Sequence, residues 1–286
     1  MRKFVFVILL FLGCNSLWAQ HWFGVAMDAD LAWQLDKINI TSAKIGGGGS
    51  VGLLYQFQHN HFTIETGLSG SFAHNRVGIQ DSLLSFAMID TKGQPFVYSG
   101  YLRDRVDVSN NLSLSVPLMI GMEYDYFYAL VGAKLNLHLL SKTNQQALLS
   151  TTGDYDIYYD PLVNMPNHGF HDFAHEQTKG SMNYQMLDVR LAVEVGTLLT
   201  TFKHSSKYRI GLFVEYGVLN SRSKTQNGTL LTPDLSEYMH VSMDHIYSTP
   251  YQTSSPVNNL TCGIRFAALF SIYSRKSYIC RCIRDY

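Results

Sequence analysis

Charge is scarce in this chain. Asp, Glu, Lys and Arg make up only 15% of its 286 residues, against roughly 25% in ordinary soluble domains, so little polar exterior is available to face water. What charge there is cancels, with 22 Lys and Arg against 22 Asp and Glu. A neutral field excludes nucleic acid as a partner, because phosphate binding needs a basic surface. After the N-terminus there is also no continuous apolar run of about 20 residues, which removes a transmembrane helix. Cysteine is limited to four positions. Cys14 falls in the leader described below, and Cys262 reads as a small buried hydrophobe on the apolar side of a strand. Cys280 and Cys282 form a C-x-C that an oxidising envelope would let pair, with strain, or join to another chain. Two thiols alone do not make a metal site.

The N-terminus is a leader. Arg2 and Lys3 precede the apolar run Phe4 to Leu12, and Leu17-Trp18-Ala19 closes it. This is the pattern of an export signal cleaved after Ala19, too short to span a membrane. A lipoprotein reading would use Cys14, but Phe11 fits that pattern poorly. The expected organisation is a signal peptide at 1–19, one barrel domain at 20–273 and a tail at 274–286.

Period-2 alternation fills the mature chain. In the stretch Leu112–Leu140, Leu112, Leu114, Val116, Leu118 and Ile120 share one face, opposite Asn111, Ser113, Ser115 and Gly121. After a turn at Asp125, Phe127, Val131, Leu135 and Leu139 oppose Tyr128, Gly132, Lys134, Asn136 and His138. Each arm has about ten residues or more, long for a soluble strand and right for a tilted spanning one. Similar strands are expected at 21–35, 44–58, 62–74, 183–202, 207–219 and 257–273. Tight turns at 59–61, near Asp125 and at 204–206 alternate with longer connections at 36–43, 76–105, 141–181 and 221–256. About eight strands with short turns at one end and long loops at the other describe an all-β, closed, antiparallel, up-and-down transmembrane barrel. Both termini then lie on the periplasmic side of a bacterial outer membrane, and outer-membrane lipid and the barrel-insertion machinery are its expected partners. A lipocalin-like soluble barrel would turn its polar face to water. Here that face is mostly Gly, Ser, Ala and Asn, which suits a crowded interior.

The polar faces carry Asp28, Asp30, Glu65, Lys134, Asp188, Arg190, Glu194, Arg209, Glu215 and Arg265. Eight strands leave a lumen just wide enough for side chains, and buried charges are costly unless paired. These ten residues are therefore expected to form an ion-pair network plugging the barrel. Gly46 to Gly49 belong to a strand wall, since a phosphate loop would need a Lys-Ser/Thr pair and a following helix. Pro117 cannot donate to the ladder and a closed barrel has no free edge, so a bulge or local gap is expected there, facing the lumen beside Ser115 and Met119.

The loop at 141–181 holds His168, His171 and His175, spaced H-x2-H-x3-H with Asp172 and Glu176 nearby. On a helix these histidines would share a face and could hold zinc or copper. Read plainly, the same segment is an aromatic, polar surface loop. The Tyr-rich run Asp154 to Asp160 suits a contact surface. A lipid-modifying enzyme would need a nucleophile and base near the strand ends; His138 followed by Ser141 is one such pair, with no nucleophile motif around it. No cofactor motif is present.

Leu114-Ser115-Val116-Pro117-Leu118, Tyr128-Ala129-Leu130-Val131-Gly132 and Leu260-Thr261-Cys262-Gly263-Ile264-Arg265-Phe266, with the Gly-rich second strand and the leader ending in Ala19-Gln20, resemble the PorT-like outer-membrane β-barrel family. The resemblance covers most of the mature chain. It implies a non-enzymatic envelope barrel in a structural, binding or scaffolding role, with a link to protein secretion and to envelope or secretion proteins as partners. The tail after Tyr273 departs from barrels that end on an aromatic residue of the last strand.

Overall fold

The computed structural model describes residues 20–182, 185–200, 206–222, 227–234, 240–250 and 255–272. The leader expected at 1–19, the tail expected at 274–286 with Cys280 and Cys282, and most of the turn expected at 204–206 lie outside the described residues. The strands are β1 (Gln20–Leu35), β2 (Thr41–His59), β3 (Phe62–Ile79), β4 (Ser82–Ile89), β5 (Pro95–Tyr124), β6 (Phe127–Asp154), β7 (Ala174–Ser181), β8 (Leu187–Thr200), β9 (Ser206–Gly217), β10 (Thr232–Asp234), β11 (His240–Ser242) and β12 (Asn258–Ser271). Eight of them close a ring. β1, β2, β3, β5, β6, β8, β9 and β12 pair antiparallel in that order. β12 then returns to β1, from Trp22 opposite Ser271 to Leu35 opposite Asn258.

Alternation sorts the two faces. Val25, Met27, Val51, Leu53, Leu118, Ile120, Leu191, Val193, Leu212, Val214 and Ile264 point outward around the ring, each roughly half exposed. A soluble protein does not leave such a continuous apolar belt to water; hydrocarbon covers it in a membrane barrel. Aromatic residues gather at the short-turn end, where Phe62, Tyr124, Tyr126, Phe127 and Phe270 are exposed, as in the interfacial girdle of such barrels. Cys262 sits on this outer wall and is half-buried, so it is no core residue.

The long connections at 76–105 and 141–181 hold more regular structure than expected: 76–105 is mostly strand, and 141–181 is strand on both sides of an irregular loop at 155–173. β5 runs 30 residues and β6 runs 28, and their ladder continues from Tyr124–Phe127 up to Val97–Asp154. β4 pairs with β5 and β7 with β6 on this extension, making a four-stranded platform beyond the ring. The physical reason is a second apolar core. Phe96, Tyr98 and Leu102 from β5 and Ala147 and Leu149 from β6 are buried with Tyr155, Phe170, Leu231 and Met243 from the loops. Pro95 costs the ladder nothing because it opens its strand, and Gly93, at φ 82°, supplies the turn between β4 and β5.

At Pro117 the β3–β5 ladder lapses between Thr66–Leu118 and Ser69–Ser115 and then resumes in the same register. This is a gap without a bulge. Thr66 Oγ1 donates to the Pro117 carbonyl at 2.9 Å, and Pro117 itself faces the lumen. The register shifts of β5 and β6 lie elsewhere, between Arg103 and Val106 and between Leu112 and Ser113.

Val193 lies opposite both Val131 and Val214 on the outer belt. Val193→Arg is expected to cost about 2–4 kcal/mol, the penalty for a cation at mid-bilayer depth. Reversible guanidinium unfolding in phospholipid vesicles measures it, and a neutral result would place Val193 away from hydrocarbon.

Candidate functional site

Charged side chains fill the lumen in two tiers. In the tier nearer the short turns, Lys207 Nζ donates to Glu123 Oε2 at 2.6 Å and to Gln58 Oε1 at 3.1 Å, 4.5 Å above the Trp22 ring. Arg209 pairs with Glu65 and stands 3.7 Å from Glu123, which also accepts from Gln56 at 2.6 Å. In the next tier Arg265 meets Glu194 at 2.7 Å, Asp28 at 3.0 Å and Glu215 at 3.7 Å. Glu215 pairs with Lys134 and lies 3.8 Å from Arg190, which donates to Asp188 at 2.9 Å.

Tyr128 joins the tiers. Its Oη donates to Glu194 at 2.8 Å, and the Arg209 guanidinium stacks 5.1 Å from its ring. The ring fits only because Gly211 and Gly196 face it. A Cβ on Gly211 would lie 2.1 Å from Tyr128 Oη, and one on Gly196 2.8 Å from Cε1.

Nine of the ten charges read from the sequence thus enter one network. Asp30 forms no ion pair among the described residues and instead lines a void of about 30 Å³ with Ser113, His138 and Arg190. Sequence reasoning missed Glu123 and Lys207, both buried partners in the first tier. Their signal was legible, since Glu123 continues the inward series from Met119 and Gly121, and Lys207 stands two residues before Arg209.

His138 Nδ1 is 2.8 Å from Ser113 Oγ, so the histidine's hydroxyl partner is Ser113 and not Ser141. The void beside them has room for a water or two. A lipid ester does not fit there.

At the long-strand end the ring is capped. A bulge at Asp104, with φ 50°, turns Arg105 inward. Its Nε donates to Asp107 Oδ1 at 2.8 Å and its Nη2 to Oδ2 at 3.1 Å. The same guanidinium donates to the carbonyls of Leu230 at 2.7 Å and of Asp244. Asp107 Oδ2 accepts from the Ile246 amide at 2.8 Å, and Tyr247 Oη donates to Asp36 Oδ2 at 2.5 Å. These bonds draw the turn Ile246–Ser248 into the mouth, where Ile246 and Tyr247 are buried with Ile38, Val77, Ile79 and Val257. The Tyr247 amide donates to His245 Nδ1 at 3.3 Å, so neutral His245 carries its proton on Nε2.

The histidine segment is not a helix. His168 ends the short turn Pro166–His168, the His171 amide donates to Thr151 Oγ1 at 2.7 Å, and His175 lies on β7 opposite Leu148. No three His, Cys, Asp or Glu among the described residues gather in a metal-holding arrangement. The Tyr-rich loop instead packs Tyr155 on Phe96, with centroids 4.7 Å apart and rings stacked. It borders a groove of about 550 Å³ with Asp90, Tyr158 and His168.

Ring, belt and sealed interior define the class, an eight-stranded membrane β-barrel with a packed cap at one end. No family model matches the chain, and no curated protein matches it by sequence. Among solved structures it is similar to Neisserial surface protein A, at 9% identity and a TM-score of 0.31 over 86% of this chain and 95% of that one. It is also similar to Ail, the attachment invasion locus protein of Yersinia pestis, in complex with the heparin analogue sucrose octasulfate. That match has 12% identity and a TM-score of 0.25 over 87% of this chain and 99% of the other. At these scores neither likeness brings a ligand or partner to this chain.

Removing one side of a buried pair costs about 3–5 kcal/mol, because a charge is left uncompensated. Arg209→Met, which strands Glu65, is expected to cost that much. Adding Glu65→Gln should restore part of the loss, and urea unfolding of the two single variants and the double variant reads the coupling.

Burial holds the His245 imidazole below its ordinary value of 6.5, with Asp107 raising it and Arg105 lowering it. The folded cap therefore binds fewer protons than the open one, and its stability, full above about pH 6.5, falls as pH drops below that. Amide exchange at Ile246 and Tyr247 should quicken in acid, and His245→Asn should flatten the dependence.

Proposed function

We propose that this protein is a non-enzymatic barrel of the bacterial outer membrane, its lumen closed, that holds a rigid β-platform outside the cell for contact with envelope proteins. One observation carries the reading. β5 and β6, at 30 and 28 residues, far exceed the roughly ten residues a spanning strand needs, and the excess is folded on its own core. Loops that only joined strands would not need buried Phe96, Tyr98 and Phe170. The two charged tiers and the Arg105–Asp107 latch speak against a solute path. The 30 Å³ void at Ser113 and His138 speaks against acyl chemistry in the lumen.

The leader at 1–19 supports export, and the short turns support a periplasmic position for both ends of the mature chain. Resemblance to PorT-like barrels supports a place beside a secretion assembly. Metal capture by His168, His171 and His175 would first require the loop to rearrange.

The orientation is testable with cysteines placed in a background whose native cysteines are serine. Tyr159→Cys, on a fully exposed side chain, should react with an impermeant maleimide on intact cells. Asp125→Cys, in the β5–β6 turn, should react only after lysis. The reverse pattern would overturn the reading, as would step conductance of the purified barrel in a planar bilayer.

A further inference from the structure

The platform has two edges, and they differ. β7 ends one side with the sequence AHEQTKGS. Its Glu and Lys are charges of the kind that blunt an edge against pairing. β4 ends the other side with SLLSFAMI, which has no charge, no proline and no bulge against β5. Among the described residues β4 pairs with β5 alone.

The register says which backbone groups are free. The Asp90 amide donates to the Gln94 carbonyl at 2.9 Å, and antiparallel pairs alternate between bonded and non-bonded. Ser82, Leu84, Phe86 and Met88 therefore exchange hydrogen bonds with β5. Leu83, Ser85, Ala87 and Ile89 turn their N–H and C=O groups away from it. Leu83 and Ile89 are 65% and 63% exposed, so the two ends of this row carry apolar side chains, and no described strand pairs with its outward backbone groups. On the opposite face of β4 an apolar groove of about 360 Å³ runs between Leu84 and Phe86 on one side and Leu230, Leu231 and Pro250 on the other.

We propose that β4 is a docking edge for an extended segment of another protein, which adds as the next strand and places alternate apolar side chains in the groove. Main-chain bonds would supply affinity and the groove would supply selectivity, as in strand addition generally. A second copy of this chain fits less well. Copies standing in one membrane are related by an axis along its normal, which maps an upward strand onto an upward strand. Antiparallel self-pairing of β4 is then closed, and the parallel alternative is the weaker one.

The inference rests on the platform being displayed to partners, but its test does not need the membrane. Random linear peptides displayed on phage are selected on the detergent-solubilised full-length protein. The expected winners carry apolar residues at every second position. Ala87→Pro removes one outward N–H without touching the β4–β5 ladder and should weaken the winners by up to about tenfold, the loss of one net hydrogen bond. N-methylation of the peptide should abolish binding at alternate residues and leave the others unaffected, a pattern independent of any folding defect in the variant. No selection, or winners indifferent to both changes, would overturn the proposal. So would amides of Leu83, Ser85, Ala87 and Ile89 already protected from exchange in the protein alone, since the edge would then be covered by its own chain. Failed surface labelling of Tyr159→Cys would remove the outer display and leave peptide binding measurable; failed selection would leave the labelling intact.

Discussion

Arg265 carries its charge into the middle of a lumen with little room for water, and the ring can close there because carboxylates from three other strands meet it. Asp28 comes from β1, Glu194 from β8 and Glu215 from β9. Each of these acids is itself shared. Ser50 donates to Asp28 at 2.6 Å, Tyr128 to Glu194, and Lys134 and Arg190 lie against Glu215. Desolvating any one of these groups alone would cost several kcal/mol, on the order of a domain's whole stability. The sharing makes the burial tolerable and also sets register. A slip of one residue in β12 would turn Arg265 outward into the belt and bring apolar Ile264 or Phe266 among the acids.

The same logic, a charge turned inward and then surrounded, is used again at the other end. Arg105 leaves the regular ladder at a bulge, which aims its guanidinium at Asp107 and at two loop carbonyls more than a hundred residues away. A neutral side chain could not gather the carbonyls of Leu230 and Asp244 together with a carboxylate. The cap is thus tied to the barrel by polar geometry first, and Ile246 and Tyr247 add apolar burial once they are drawn in. Platform and barrel become one body because β5 and β6 belong to both.

The ring was legible in the sequence because lipid demands strict alternation, and β1, β8, β9 and β12 obey it residue by residue. The platform was not, for a physical reason. Beyond the membrane no hydrocarbon enforces an apolar outer face, so β6 can run through Lys142, Asn144 and Gln146 on one side while Ala147 and Leu149 pack against segments distant in sequence. Gly93, Pro95 and Gly100 are turn-forming or strand-breaking residue types. In the fold only Gly93 makes a turn, while Gly100 leaves room for Leu231, whose Cδ2 would be 2.4 Å from a Cβ there. The lumen charges were read well in mid-strand and missed beside the turns, where Glu123 and Lys207 sit although the alternation still carries them inward. The histidine spacing misled because Gly169 takes φ 78° and ends a single turn, leaving His175 to a strand.

A barrel filled with ion pairs has little freedom to gate, because opening a path would separate charges that have no water to receive them. Change at low cost is available only where the contacts are few or neutral. In the cap that place is the uncharged His245 imidazole, and the β4 edge carries hydrogen-bonding groups that no other described strand satisfies. Rigidity below and unsatisfied backbone above belong to one arrangement. The tiers hold β5 and β6 upright, and a strand edge held upright has already met part of the ordering cost that a flexible loop would face on binding.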